Sequence, residues 1–337
     1  MQNNLGRRLV GAMLFGVVVY GVLVFYRGTE KISAELATFA WSSFAIACGL
    51  SFINYILRFL KWEYYLAILE IRGVPKLTSF LTFLSGFVLT VTPGKVGEVF
   101  KSLILQEVRG IPVERTASIV VAERVTDLIG VIVLIAVGSS RFPGGVVWMS
   151  AGLIFVLAIL VLVGSPAVGN WVVATLPKLP GPLGRFGARV AAKMAEVFDR
   201  LRTITAPRHL VWPTLLSVVG WGLEGVGLWI ILGGFGEHTS LPLTGFFYAT
   251  ATLAGALIPV PGGLGVTDKL LEEQMARLGS VPAAKATSAM LLARFATLWF
   301  AVIVGFIALA ILRAMYPSLR ATNAPSQRED VDKQSAT

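Results

Sequence analysis

Charge is scarce in this 337-residue chain: Asp, Glu, Lys and Arg make up 14% of it while hydrophobic residues make up 55%. Ordinary globular chains carry ~25% charge, so the pair of soluble domains that the length would allow is excluded. Cysteine is nearly absent. Cys48 is the one copy, set in an apolar run, so no internal disulfide can form and the residue reads as a small buried hydrophobe. The two histidines, His209 and His238, stand far apart without metal-ligand spacing, and no metal centre is expected. No Gly-x-x-x-x-Gly-Lys-Ser/Thr loop occurs, so no nucleotide and no other cofactor is expected. Arg7 and Arg8 precede an apolar run from Leu9 to Tyr26, but no Ala-x-Ala-like cleavage site follows. The run is therefore expected to be a retained span rather than a signal peptide.

What the chain has is long apolar stretches. Several approach or exceed the ~18 uncharged residues that read as a spanning helix. Six full spans are expected, at about 9–26, 36–57, 114–138, 146–164, 210–232 and 284–312. Two further apolar segments are interrupted. Leu77 to Val91 stops at Thr92-Pro93-Gly94 and continues to about Val108; Leu243 to Val260 stops at Pro261-Gly262-Gly263 and resumes from Leu264 to Leu278. Proline lacks the amide hydrogen and glycine favours non-helical angles, so each segment is expected to be two half-helices with a break at the tip. Such a re-entrant hairpin is tolerated at membrane depth only where it is buried in protein or lines a cavity.

The fold class expected is thus an all-α polytopic membrane protein with inverted-topology repeats. The block Val91-Thr92-Pro93-Gly94-Lys95-Val96-Gly97-Glu98 lines up with Pro259-Val260-Pro261-Gly262-Gly263-Leu264-Gly265-Val266, the Pro-Gly pair recurring 168 residues on. A span precedes and follows each hairpin, and Arg124 and Arg294 recur at an offset of 170. With the N-terminus inside, the inside segments carry 20 of the basic residues and the outside segments six, with Lys95, Arg124 and Arg294 at membrane depth. That count includes Arg58, Lys61 and Lys101 among the inside segments. It puts the first hairpin's mouth inside and the second's outside, as in transporters built from inverted repeats. One transmembrane domain is expected over 1–316, with repeats at about 36–138 and 210–312 and a polar, disordered cytoplasmic tail over 317–337.

Candidate functional residues follow from two physical signals. Each second half-helix starts at a tip, where unpartnered amide hydrogens and partial positive charge suit an anion. Lys95 adds full charge at the first tip; the second offers only the backbone of Pro261, Gly262, Gly263 and Gly265, glycines that equally serve a tight turn, as do Pro93, Gly94 and Gly97. Ionisable residues at membrane depth are the other signal: Lys95, Glu98, Glu123, Arg124, Asp127, Glu224, Asp268 and Arg294. A charge at the helix centre costs ~2.5–3.5 kcal/mol, so these must pair, neutralise or face water. Asp127 lies one turn after Arg124 and is its expected partner. Arg294 is the cross-helix candidate for Glu224, and Glu98 and Asp268 are expected to be shallow.

The net charge of +10 sits in loops between apolar runs, so membrane lipids, anionic ones first, are the expected partners rather than nucleic acid. A second copy of the chain or an enzyme of lipid synthesis is the expected protein partner. Between Ser165 and His209, Phe186, Val190, Met194, Val197 and Leu201 recur at helical spacing with Arg185, Arg189, Lys193 and Arg200 on other faces. That helix either lies on the inner leaflet or connects the repeats.

The blocks Thr-Pro-Gly-Lys-Val-Gly-Glu at 92–98 with Lys101, Glu-Arg-x-x-Asp at 123–127 and Pro-x-Pro-Gly-Gly-Leu-Gly-Val at 259–266 together resemble the lysylphosphatidylglycerol synthase transmembrane-region family of flippase-like proteins. The resemblance covers nearly the whole chain and implies a lipid flippase acting on a phosphate-bearing or polyprenyl-type lipid in the cell membrane. It implies substrate binding by these blocks and by the membrane-depth charges. The chain departs at Asp268, where the family usually has Glu, which keeps the charge and shortens the reach. No stretch resembles the aminoacyl-transferase domain of fused members, so no enzymatic activity is expected. A membrane-embedded headgroup transferase using Glu123, Asp127 or Glu224, or an accessory subunit of a lipid-modifying pathway, is the alternative.

Overall fold

The computed structural model describes residues 29–91, 99–140, 147, 149–150, 152–155, 157–158, 165–178, 182–258, 260–317 and 319. Among these residues every regular element is helical. In chain order they are α1 (Thr29–Ala37), α2 (Trp41–Ile68), α3 (Lys76–Ser85, running into a 3-10 turn at Gly86–Leu89), α4 (Phe100–Arg109), α5 (Val113–Ser139), α6 (Pro166–Thr175), α7 (Pro182–Ile204), α8 (Pro207–Gly234), α9 (Leu241–Leu257), α10 (Val266–Arg277), α11 (Ala283–Arg294) and α12 (Phe300–Met315). One π-turn, Phe295–Trp299, joins α11 to α12.

Among the described residues, three helices are long and apolar enough to cross a membrane: Trp41–Ile68, Pro207–Gly234 and the continuous Ala283–Met315. Helix α5 has comparable length but carries Glu114, Arg115, Glu123, Arg124 and Asp127. The expected span 9–26 and much of 146–164 lie outside the described residues, as do the tip block 92–98 and most of the tail. The expected span 36–57 is displaced. Helix α1 ends at Ala37, and α2 starts at Trp41 and runs to Ile68, so Arg58 and Lys61 belong to a helix rather than to an inside loop. An apolar helix accepts such residues when its polar face turns inward onto partners.

The surface of these helices is apolar and the interior partly polar. On α2 the exposed Ile46, Ile53 and Leu60 recur every seven residues, and on α12 Ile303 and Ile307 are exposed. Facing inward are Ser51, Asn54 and Lys61 on α2, Glu123, Thr126 and Asp127 on α5, and Ser217 and Glu224 on α8. An apolar outer face with satisfied polar groups inside is what a lipid solvent selects, because lipid offers no hydrogen bonds.

Small residues let the helices meet. A Cβ on Gly130 of α5 would stand 3.0 Å from the Ser217 carbonyl carbon on α8, and one on Gly225 of α8 would stand 2.9 Å from the Gly245 Cα on α9. Helix α5 packs on α9, where Gly138 abuts Pro242 and Phe246. Helix α12 packs on α3 and its 3-10 turn, where Gly305 faces the Val88 amide nitrogen and the Leu84 carbonyl oxygen. Such contacts are the usual basis of helix association in membranes. Helix α7 forms where the amphipathic spacing expects it and packs on α5 and α6.

Candidate functional site

The second interrupted segment is two antiparallel helices, α9 and α10, joined through a turn at Pro261–Gly263. Gly262, Gly263 and Gly265 take φ of +59°, +69° and +82°, angles that a side chain resists, so the break is where the Pro-Gly-Gly block places it. The tip touches the first segment. Val91, the last described residue before the 92–98 block, is fully buried, and its Cα lies 3.5 Å from the place a Gly262 Cβ would occupy.

At this junction a cleft of ≈ 90 Å³ opens. Helix α2 contributes Asn54, Tyr55 and Arg58; α8 contributes Trp221 and Glu224; α9 contributes Tyr248, Thr252, Gly255 and Ala256. Phe87 and Thr90 come from the first segment and Gly262, Gly263 and Thr267 from the second, with Arg294, Thr297, Leu298 and Ala301 closing the remaining side. The Arg58 guanidinium lies 5.3 Å from the centre of the Phe87 ring, a cation–π arrangement. Tyr55 donates to the Thr297 carbonyl at 2.9 Å, within the π-turn. Π-turns inside α-helices concentrate at functional sites.

Glu224 lines the cleft, 4% exposed. Asn54 Nδ2 donates to its Oε1 at 2.8 Å and Ser51 Oγ donates to its Oε2 at 3.1 Å. The expected pairing of Glu224 with Arg294 is not formed. Arg294 Nε instead lies 2.8 Å from Asp268 Oδ1, and its Nη2 donates to the Gly262 carbonyl at 2.6 Å. The hairpin tip brings a nearer carboxylate and carbonyl to the guanidinium, and its planar fork takes both. Asp268 is buried within the protein. Its Oδ2 also accepts the Gly265 amide at 2.8 Å, capping the start of α10. The helix N-terminus expected to offer free amides to an anion is thus partly occupied by the chain's own carboxylate.

Among the described residues, Lys61 with Asp127 and Lys101 with Glu123 form further buried ion pairs outside the cleft lining. Lys61 Nζ donates to Asp127 Oδ1 at 2.6 Å, Ser217 Oγ at 2.8 Å and Thr126 Oγ1 at 3.2 Å, with only 1% of the residue exposed. The ion pair of Asp127 is thus with Lys61, which reaches across from α2, rather than the expected one with Arg124, whose charge nonetheless acts on Asp127. Lys101, counted as an inside-loop residue, is buried, pairs with Glu123 and lies 4.6 Å from the Trp62 ring centre. Arg124 is half-buried on α5 and does not line the cleft, so it does not share that site with Arg294. Pro93, Gly94, Lys95, Gly97 and Glu98 lie outside the described residues; Pro261, Gly262 and Gly263 form the tip.

Ser51, Asn54, Arg58 and Lys61 are the residues that charge counting missed. They recur at spacings of three and four within an apolar helix, a polar stripe that periodicity exposes once α2 is read as reaching Ile68.

Residues 13–305 match the family described as the lysylphosphatidylglycerol synthase TM region. The chain belongs to this family. A UPF0104 membrane protein of Methanothermobacter thermautotrophicus is 22% identical over 314 residues, covering 85% of this chain and 88% of that protein. The lysylphosphatidylglycerol synthase TM region family is one of membrane proteins, and the relative's name carries no enzymatic activity. Membership accords with the apolar outer faces of α2 and α12, and the Pro-Gly-Gly turn and Arg294 both fall within the matched residues.

Proposed function

We propose that this chain is a lipid translocase, moving a lipid with an anionic, phosphate-bearing headgroup between leaflets of the cell membrane. The observation that carries the reading is the cleft. It lies between membrane-spanning helices, both interrupted segments reach it, and Arg58 and Arg294 face it. Guanidinium groups recognise phosphate oxygens in pairs and stay charged when buried. The aromatic and hydroxyl groups beside them, Tyr55, Trp221, Tyr248 and the threonines, suit the polar remainder of a headgroup.

The inverted-repeat reading belongs to this proposal. Its support is an exchange of contacts: α5 packs on the hairpin of the second half, and α12 packs on that of the first. Gly138 and Gly305 make the close approaches in these two contacts. Helices α2 and α8, each 28 residues long, pack on one another between them. Rocking of such halves about a central cleft is the general route to alternating access. Both termini on the cytoplasmic side, and α7 lying against the inner leaflet, complete the arrangement. Lys95, Gly97 and Glu98 would join the headgroup site from the first interrupted segment.

The test is reconstitution. Purified protein in phosphatidylcholine vesicles containing a fluorescent phosphatidylglycerol is assayed for probe exposure to a membrane-impermeant quencher. Faster exchange than in empty vesicles is the expected result, together with anionic lipid among co-purifying species identified by mass spectrometry. Exchange no faster than in empty vesicles, with only zwitterionic lipid retained, overturns the reading.

A further inference from the structure

Three buried carboxylates described above each face a cation at ion-pair distance: Asp127 faces Lys61, Glu123 faces Lys101 and Asp268 faces Arg294. Glu224 differs. Its partners are the Asn54 amide and the Ser51 and Tyr248 hydroxyls, and among the described residues no ion pair reaches it. It is also the carboxylate of these four that lines the cleft.

That difference has a chemical consequence. Asp127 or Glu123 cannot take a proton without stranding a buried ammonium. Glu224 can. The Ser51 hydroxyl is donor and acceptor at once, so it gives a hydrogen bond to the carboxylate and, after rotation, accepts one from the carboxylic acid. The same neighbours therefore satisfy both protonation states, and the cleft has room for several water molecules to carry the proton.

From the cleft's geometry we infer that Glu224 is a proton-binding site coupled to anion binding: the carboxyl is protonated while an anionic headgroup occupies the cleft and ionised when the cleft is empty. The inference rests on the anion-binding reading above. The charged and titratable groups around Glu224 are Cys48, Tyr55 and Arg58 on α2, Tyr248 on α9 and Arg294 on α11. Of these, the two arginines stay charged throughout. An incoming anion meets an ionised Glu224 as repulsion, undiminished by bulk water. A proton on Glu224 removes the repulsion. By reciprocity, the anion then strengthens proton binding by the same factor. Transport of the anion with a proton would draw on a proton gradient, a drive that fits a chain without a nucleotide-binding loop.

The experiment has two readouts on the full chain. Infrared difference spectra of protein in phosphatidylcholine nanodiscs, taken from about pH 8 to about pH 5, follow the carboxylic-acid C=O band. Binding of glycerophosphoglycerol, a soluble phosphodiester whose charge is constant over that range, is followed by calorimetry at the same pH values. The expected result is an acid band that grows as pH falls and is lost in Glu224→Gln. Probe affinity should rise by up to roughly tenfold per pH unit, the limit for one linked proton. In Glu224→Gln it should stay near its low-pH value at every pH. Asn54→Leu, which removes a donor to the carboxylate and keeps Glu224, should move the midpoint of the acid band upward. It carries the test if the glutamine variant does not fold. An acid band unchanged in Glu224→Gln, or in Asn54→Leu where that variant carries the test, overturns the inference even where the probe binds. PH-independent binding in the native protein overturns the coupling. No probe binding at any pH in either protein overturns the anion reading of the cleft, and the inference falls with it.

Discussion

Replacing Lys61 by methionine tests whether the Lys61–Asp127 cluster is scaffold. The Lys61 ammonium makes three hydrogen bonds, at 2.6, 2.8 and 3.2 Å, and Asp127 keeps one other donor, the Ser217 hydroxyl at 3.0 Å. Lys61→Met therefore leaves a buried carboxylate with a single neutral donor. Removing one partner of a buried pair costs about 3–5 kcal/mol, most of it the penalty of the stranded charge. Asp127→Leu strands the ammonium and should cost a similar amount. The double variant Lys61→Met with Asp127→Leu strands nothing and replaces the pair by apolar groups of comparable size. It should return to within about 1 kcal/mol of the native chain or exceed it. The assay is equilibrium unfolding in mixed micelles of mild detergent and dodecyl sulfate, followed by tryptophan fluorescence, since Trp62 is fully buried beside Lys101. A cost below about 1 kcal/mol for Lys61→Met would refute the reasoning. So would a double variant as unstable as the two single costs added. Translocation that survives in the double variant would place the cluster outside the transport site, as its separation from the cleft implies.

Other predictions follow from the same geometry. Arg294→Lys keeps the charge but loses the fork that joins Asp268 to the Gly262 carbonyl; it should cost about 1–3 kcal/mol and slow translocation, read in the same micelle and vesicle assays. Gly305→Ala brings a methyl group to 2.7 Å from the Val88 amide nitrogen and 3.1 Å from the Leu84 carbonyl oxygen, backbone atoms that cannot turn aside. It should destabilise by about 1–3 kcal/mol, whereas Gly233→Ala, with no atom within 4 Å, should be neutral; equal effects would show that α12 does not pack on α3 as described. Reporters fused to the C-terminus should be active only in the cytoplasm, and external activity would reverse the orientation and undo the inverted repeat. Cysteines placed at 94 and 262 should label poorly with impermeant reagents from either side, and ready labelling from both faces would make these segments full crossings.

How much was legible in the sequence depends on the range of the signal. The break at Pro261-Gly262-Gly263 was readable because it is written in adjacent residues: proline ends a helix and three glycines take positive φ. The amphipathic α7 was readable for the same reason. The end of α2 was not. Arg58 and Lys61 resemble a loop's basic residues until a second helix is seen to bury them. The partners of the buried charges are not legible where they lie on other helices. Arg124 and Asp127 are neighbours along α5, yet Asp127 bonds to Lys61, distant in sequence and adjacent in space. Sequence position offers Glu224 to Arg294, yet the turn at Gly262 carries Asp268 nearer.

The sequence by itself determined that this is a helical membrane protein of a particular family, where its helices break, and which residues are too polar for lipid and must be satisfied inside. Those are local or compositional facts, set by hydrogen-bonding capacity and by the transfer of side chains into an apolar solvent. Only the tertiary structure decided which charges neutralise one another and which carboxylate lines the cleft with no ion pair among the described residues. That choice depends on distances of a few ångströms between helices remote in sequence, and Coulomb and hydrogen-bond energies in a low dielectric change steeply over such distances.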